Sequence, residues 1–249
     1  MRTSLHRYGL PHGWHGTVCR LRKTVDSFCR PRYGRCTCTD SQRGAIITTS
    51  NRGRQRPITR PIFHHTTFTT LKLDEMVAFY ENVAGLEPVY YGENAAWLTN
   101  DAANHRIALL ALPGLKAPDD KGHTAGLHHT AFEYRSFEQW IDNYDRLAAQ
   151  GIEPFLNLDH GMTMSMYYQD PEGNGVEIQV DAFGDWAKSK EFMWASEEFD
   201  KNPIGVHFDP ARISAARQEG LSFEEIHARA TAGEYLPAVI PEVYLPEFW

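Results

Sequence analysis

The chain has 249 residues and a formal charge of −7, but the charge is unevenly spread. Residues 1–60 hold thirteen Lys and Arg against two acidic residues, whereas residues 61–249 hold twelve against thirty, so the two parts are not expected to share one fold. No motif for nucleic-acid recognition is present, and no apolar run approaches the roughly eighteen residues that a membrane span needs.

The basic segment 1–60 has few large apolar residues and no sustained periodicity, so burial there cannot offset chain entropy and disorder is the expectation. Its Arg- and Ser/Thr-rich, acid-poor composition is also that of an organellar transit peptide, and a start codon placed too far upstream would give the same appearance. All four cysteines (Cys19, Cys29, Cys36 and Cys38) lie in this segment, without the paired C-x2-C spacing of a zinc ribbon. The acidic part has none, as expected of a protein in a reducing, cytoplasmic compartment.

From residue 61 the sequence repeats itself. Residues 64–68 read HHTTF and residues 128–132 read HHTAF, an offset of 64 that Tyr80 and Tyr144 share. GLEP at 85–88 returns as GIEP at 151–154, so one unit occurs twice with a two-residue insertion in the second copy. In the first copy, alternation predicts a strand over 62–70. A helix over 74–83 follows, its apolar stripe formed by Met76, Val77, Phe79, Tyr80 and Val83, and Gly85 ends it. Strands are expected at 87–91, 95–99 and 106–112. The second copy predicts a strand at 127–134, a helix over 137–149 closed by Gly151, and strands near 153–158, 162–168 and 175–180. DPEGNG at 170–175 is a strong turn signal before the last of these. Residues 185–199 read as helical, Asn202-Pro203 as a break, and Ser222 to Glu225 as a capping box opening a helix that ends near Gly233.

The expected fold class is therefore α+β. Two tandem βαβββ modules, about 61–122 and 125–182, form an open, cup-like mixed sheet around a metal. Residues 183–249 follow as a mainly helical or irregular tail that packs on the core or on a partner subunit, and the chain is expected to be a homo-oligomer.

The repeat also selects chemistry. The HH pairs stand at equivalent places, so pseudo-symmetry would face one histidine from each across the cup. Glu177 lies among Val176, Ile178 and Val180 in the last strand, where an inward carboxylate is costly unless paired or metal-bound. Two imidazoles and one carboxylate make the facial triad that leaves coordination positions open for substrate and O2. The final strand of the first copy, 106–112, has no acidic residue, so a fourth protein ligand is absent.

The repeated HHT strands and YYQDPEGNGVEIQ at 167–179 resemble the vicinal oxygen chelate superfamily, which includes glyoxalases and bleomycin resistance proteins. Within it, residues 61–182 look most like a one-domain type I extradiol catechol dioxygenase. The resemblance chooses the second histidine of each pair, making His65, His129 and Glu177 the implied metal ligands, with Fe(II) as the metal and Mn(II) compatible with the same donors. It also implies catalytic roles for His105 (on the bound oxygen species), His160 (toward a substrate hydroxyl) and Tyr167 (in catechol deprotonation). The implied partners are O2 and a small aromatic diol, of the catechol or biphenyl-diol kind. Two other readings use the same fold: a metal-dependent isomerase, epimerase or lyase working through an enolate, and a non-catalytic small-molecule binding protein.

Overall fold

Strand alternation and helical periodicity resolve into the same β-α-β-β-β order twice. The computed structural model describes residues 59–121 and 123–242, all within one compact unit that begins at Thr59. The readings made for the cysteine-bearing segment and for the final Phe248-Trp249 lie outside these residues.

The first module runs β1 (Thr66–Thr69), α1 (Leu73–Ala84), β2 (Glu87–Tyr91), β3 (Ala95–Thr99) and β4 (Ile107–Leu110). The second runs β5 (His129–Tyr134), α2 (Phe137–Ala148), β6 (Leu156–Asp159), β7 (Thr163–Gln169) and β8 (Gly175–Asp181). Each makes a mixed sheet in which the first strand lies parallel to the last: the orders are β1-β4-β3-β2 and β5-β8-β7-β6. The expected open, mixed architecture is thus present as two sheets. β1 starts one residue after His65, later than alternation suggested, and β6 starts after Pro154, which has no N–H to give a ladder.

One face of each sheet is covered by its helix. α1 presents Leu73, Met76, Val77, Tyr80, Val83 and Ala84 to the core and ends at Gly85, whose φ of 64° suits a residue without a Cβ. α2 starts at Ser136, whose side chain accepts from the Gln139 N–H, and buries Trp140, Ile141, Tyr144 and Leu147. The Trp140 Nε1–H donates to the Ile178 carbonyl at 2.9 Å. Full burial of such a side chain contributes about 3 kcal/mol.

The modules share this core. The Tyr80 ring packs on Phe68 of its own module and on Phe132 of the other, with centroids 6.1 and 6.4 Å apart. Its hydroxyl donates to Asp170 Oδ2 at 3.2 Å. Asp170 also accepts from the backbone N–H groups of Glu172 and Asn174, at 3.0 and 2.8 Å, and from the Asn174 amide at 2.7 Å. Glu172, in the same turn, accepts from the Thr70 hydroxyl at 2.8 Å and the Leu71 N–H at 2.6 Å. The end of β1 is thereby tied to the turn that opens β8.

The remaining elements are α3 (Trp186–Ala195), α4 (Glu197–Lys201), β9 (Val206–His207), α5 (Pro210–Gln218) and α6 (Phe223–Thr231). The expected helix over 185–199 is divided at Ser196, which caps α4. β9 adds to the edge of the second sheet beside β6. α6 carries the expected Ser222/Glu225 capping box, and Phe223 stacks on Phe137 at 4.6 Å. Among the described residues no helix is long and apolar enough to cross a membrane.

Asp170→Ala would strip an acceptor from four donors, three of them on the buried residues Tyr80 and Asn174. The variant should unfold with about 2–4 kcal/mol less free energy, read as a lower midpoint in urea. An unchanged midpoint would show that the turn is held by its other bonds.

Candidate functional site

The face of the second sheet that turns away from α2 carries the first cluster. Register places Glu177 opposite Ala131 on one side and Tyr167 on the other, so His129, Glu177 and Tyr167 share that face. Gly175 makes the close approach of β5 and β8 possible, since a Cβ there would come within 2.8 Å of the His128 carbonyl oxygen. Glu177 and Tyr167 are 5% and 6% exposed, while His129 is partly open to solvent.

These residues form a continuous line. His129 Nε2 lies 3.1 Å from Glu177 Oε2, and the Tyr167 hydroxyl donates to Glu177 Oε1 at 3.0 Å. On the far side of Tyr167, His160 Nε2 is 2.9 Å from the same hydroxyl. His160 sits in the turn after β6, held by its backbone N–H to the Thr163 carbonyl at 2.9 Å. The tyrosine has one proton for two neighbours. It can donate to Glu177 or to His160, and it accepts from His160 only when that ring carries its proton on Nε2.

The electrostatics follow from burial and neighbours. Burial alone would raise the Glu177 carboxyl, but the bonds to His129 and Tyr167 outweigh it and hold the group below its ordinary value. Burial, reinforced by the negative charge of Glu177, drives the Tyr167 hydroxyl well above the usual phenol range, so it stays protonated. Burial also lowers His160 below the ordinary imidazole value, which keeps it neutral.

The second cluster lies at the start of the first module. Because β1 and β4 are parallel, His65 and His105, each just before its strand, lie side by side with ring centroids 4.3 Å apart. His64 Nδ1 is 3.1 Å from His65 Nδ1. Among the described residues, these three histidines are the trio whose ligand atoms all lie within 4.8 Å of one another. Burial first, and then the neighbouring His65 and His64, lower His105. Sequence reasoning missed Arg106, which donates to the His64 carbonyl at 2.8 Å and grips Asp101 at 2.6 Å. Its place between His105 and the strand was the available signal.

His129, Glu177, Tyr167 and His160 are therefore brought together, and so are His65 and His105. Among the described residues, no hydrogen bond or ring contact joins the two groups. Repeat equivalence adds a contrast. Thr67 pairs with Ala108 as Ala131 pairs with Glu177, and Trp97 faces Ala108 as Tyr167 faces Glu177. The first module thus holds Ala108 and Trp97 where the second holds Glu177 and Tyr167.

A depressed carboxyl contributes stability that is present above its unfolded value and is lost as pH falls through the folded one. His129→Ala removes the largest of the contacts that lower Glu177 and leaves burial opposed by fewer of them, so that contribution shrinks. The metal-free variant should be about 1–3 kcal/mol less stable than the parent at neutral pH, with the gap closing as acid protonates Glu177. Chemical denaturation across pH reads this directly, and a gap independent of pH would remove the pairing from the account.

A family model described as the Glyoxalase/Bleomycin resistance protein/Dioxygenase superfamily matches residues 62–178. Biphenyl-2,3-diol 1,2-dioxygenase 2 of Rhodococcus globerulus is 37% identical over 177 residues, covering 71% of this chain and 92% of that protein. Biphenyl-2,3-diol 1,2-dioxygenase 3 of the same organism is 37% identical over 172 residues, or 69% and 90% of the two chains. Catechol-2,3-dioxygenase of Bacillus subtilis (strain 168) is 27% identical over 128 residues, 51% of this chain and 44% of that one. With these relatives and the doubled βαβββ unit together, the chain belongs to the glyoxalase/bleomycin resistance protein/dioxygenase superfamily.

Proposed function

We propose that this chain is an extradiol dioxygenase that opens the ring of a small aromatic diol with O2, using a metal held by His65, His129 and Glu177. The observation that carries this reading is the 37% identity, over 92% of its length, to a biphenyl-2,3-diol 1,2-dioxygenase. The donor set agrees with a divalent metal. A buried carboxylate oxygen stands 3.1 Å from an imidazole nitrogen, and a set of two imidazoles and one carboxylate suits Fe(II), with Mn(II) accepted by the same donors. Bound there, the metal supplies Lewis acidity toward the diol oxygens and electron exchange with O2.

The rest is work for the chain's own side chains. His160, kept neutral by burial, has a ring nitrogen lone pair available to receive a proton from a diol hydroxyl. Tyr167, held protonated, acts as a donor in the resting site and passes charge between His160 and Glu177 rather than serving as a free base. Leu156, Leu158 and Ile204 pack with Tyr167 and give an aromatic ring an apolar wall. His105, neutral beside His65, is suited to hold a developing oxyanion through its N–H and, once it has taken up a proton released by the diol, to hand that proton on. The cysteine-free composition of residues 61–249 fits a cytoplasmic enzyme.

Oxygen uptake by anaerobically Fe(II)-loaded protein on biphenyl-2,3-diol and catechol tests the reading. Uptake of one O2 per diol with a yellow ring-opened product is expected. His160→Ala and His105→Ala should each keep bound iron while kcat falls by about 10²- to 10⁴-fold. Iron-loaded protein that consumes no O2 on any diol would refute the activity.

A further inference from the structure

Resting on the proposed role of His160 as a proton acceptor, we infer that the C-terminal segment sets which nitrogen of His160 is free. His227, acting through Asp159, and the Ile204 carbonyl are its positioning residues. They hold the ring with its proton on Nδ1 and leave Nε2 bare toward Tyr167.

His160 stands in a turn, between Asp159 and Gly161, and a turn by itself leaves an imidazole free to rotate. The fold removes that freedom from three sides, each supplied by residues beyond 182. Gly161 has a φ of 84°, and a Cβ there would lie 2.8 Å from the Phe192 ring, so α3 sits directly on the turn. Gly205 has a φ of 95°, and a Cβ there would lie 2.9 Å from the His160 Cα. The stretch leading into β9 therefore passes against the backbone of His160 itself, while the neighbouring Ile204 packs with Leu156, Leu158 and Tyr167. The third side is α6. Phe223 stacks on Phe137 of the core, and His227, one turn later on the same face, brings Nε2 to 3.2 Å from Asp159 Oδ1.

Asp159 passes that hold to His160. Its Oδ1 also accepts from the Gly161 N–H at 2.8 Å, so His160 lies inside a closed turn whose far side is its own N–H bond to the Thr163 carbonyl. Asp159 is 1% exposed, and among the described residues its Oδ2 has no hydrogen-bond partner. Removing His227 would leave a buried carboxylate poorly compensated, a cost that opening the turn would relieve. The ring is then oriented by its own neighbours. The Ile204 carbonyl can only accept, and it bonds the ring in its N–H form. Nε2 faces the Tyr167 hydroxyl at 2.9 Å, so the nitrogen left for the carbonyl is Nδ1. A neutral imidazole has one N–H, and giving it to Ile204 leaves the lone pair on Nε2.

The test reads the His160 tautomer by nitrogen NMR in the metal-free full-length chain, and turnover in the Fe(II)-loaded one. The wild type should show one tautomer, protonated on Nδ1. His227→Phe should mix the two tautomers and lower kcat by about 10- to 100-fold, with iron content and KM little changed. His227→Gln, which keeps a donor toward Asp159, should restore both readouts. Gly205→Ala, which drives the segment off the turn from another side, should also mix the tautomers. In a His160→Ala background His227→Phe should lower kcat no further, because the group it positions is gone. An equal fall in that background, a wild-type ring protonated on Nε2, or an unchanged tautomer in His227→Phe would each overturn the inference. A chain that consumes no O2, yet shows the Nδ1 tautomer and loses it in His227→Phe, would sink the dioxygenase reading and uphold the positioning.

Discussion

In each module the first strand lies parallel to the last, and this pairing decides which side chains can share a site. A parallel neighbour brings the start of one strand beside the start of the other. His65 therefore meets His105, and His129 stands next to the strand that carries Glu177. The crossover this demands is the helix between strands one and two, and the helix closes one sheet face. Chemistry is left to the other face. Gly175 is the local condition for the second pairing, because any larger residue would push β5 from β8 at the point where the histidine and the carboxylate must meet.

Glu177 is where fold and chemistry compete. A carboxylate this buried loses hydration that several kcal/mol of compensation must replace. That compensation comes from His129, from Tyr167 and, through Tyr167, from His160. The arrangement leaves Tyr167 protonated and His160 neutral, so a proton acceptor and a proton donor stand one hydrogen bond apart before any substrate arrives. The same neighbours that make the buried charge tolerable are thus the ones suited to moving protons.

Much of this was legible in the sequence because it was repeated there. The doubled HHT run, the helical stripe through Tyr80 and the DPEGNG turn each have a local cause, and each appears where that cause puts it. α5 was not legible: its cap, Asp209 followed by Pro210, is a good local signal, but the helix has little amphipathic pattern to announce it. The relation between His65 and His129 was illegible for a deeper reason. A repeat shows that two positions are equivalent, not that they are near. Proximity depends on the Thr70 to Glu172 tie and on the core shared through Tyr80, contacts between residues about a hundred positions apart.

The two modules have kept one topology and divided their chemistry. At the place of Glu177 the first module has Ala108, and at the place of Tyr167 it has Trp97, whose ring lies 4.3 Å from that of Tyr90. A second carboxylate there would give each module a metal half of the same kind. Any symmetric joining of such halves would close a fourth coordination position that dioxygen or a diol needs. Under the proposed ligand set, Ala108 and Trp97 would leave that position without a protein ligand. The asymmetry between the repeats is thus one of side chains on a shared topology: a buried carboxylate bonded to a tyrosine in the second module, and an alanine facing a tryptophan at the same register in the first.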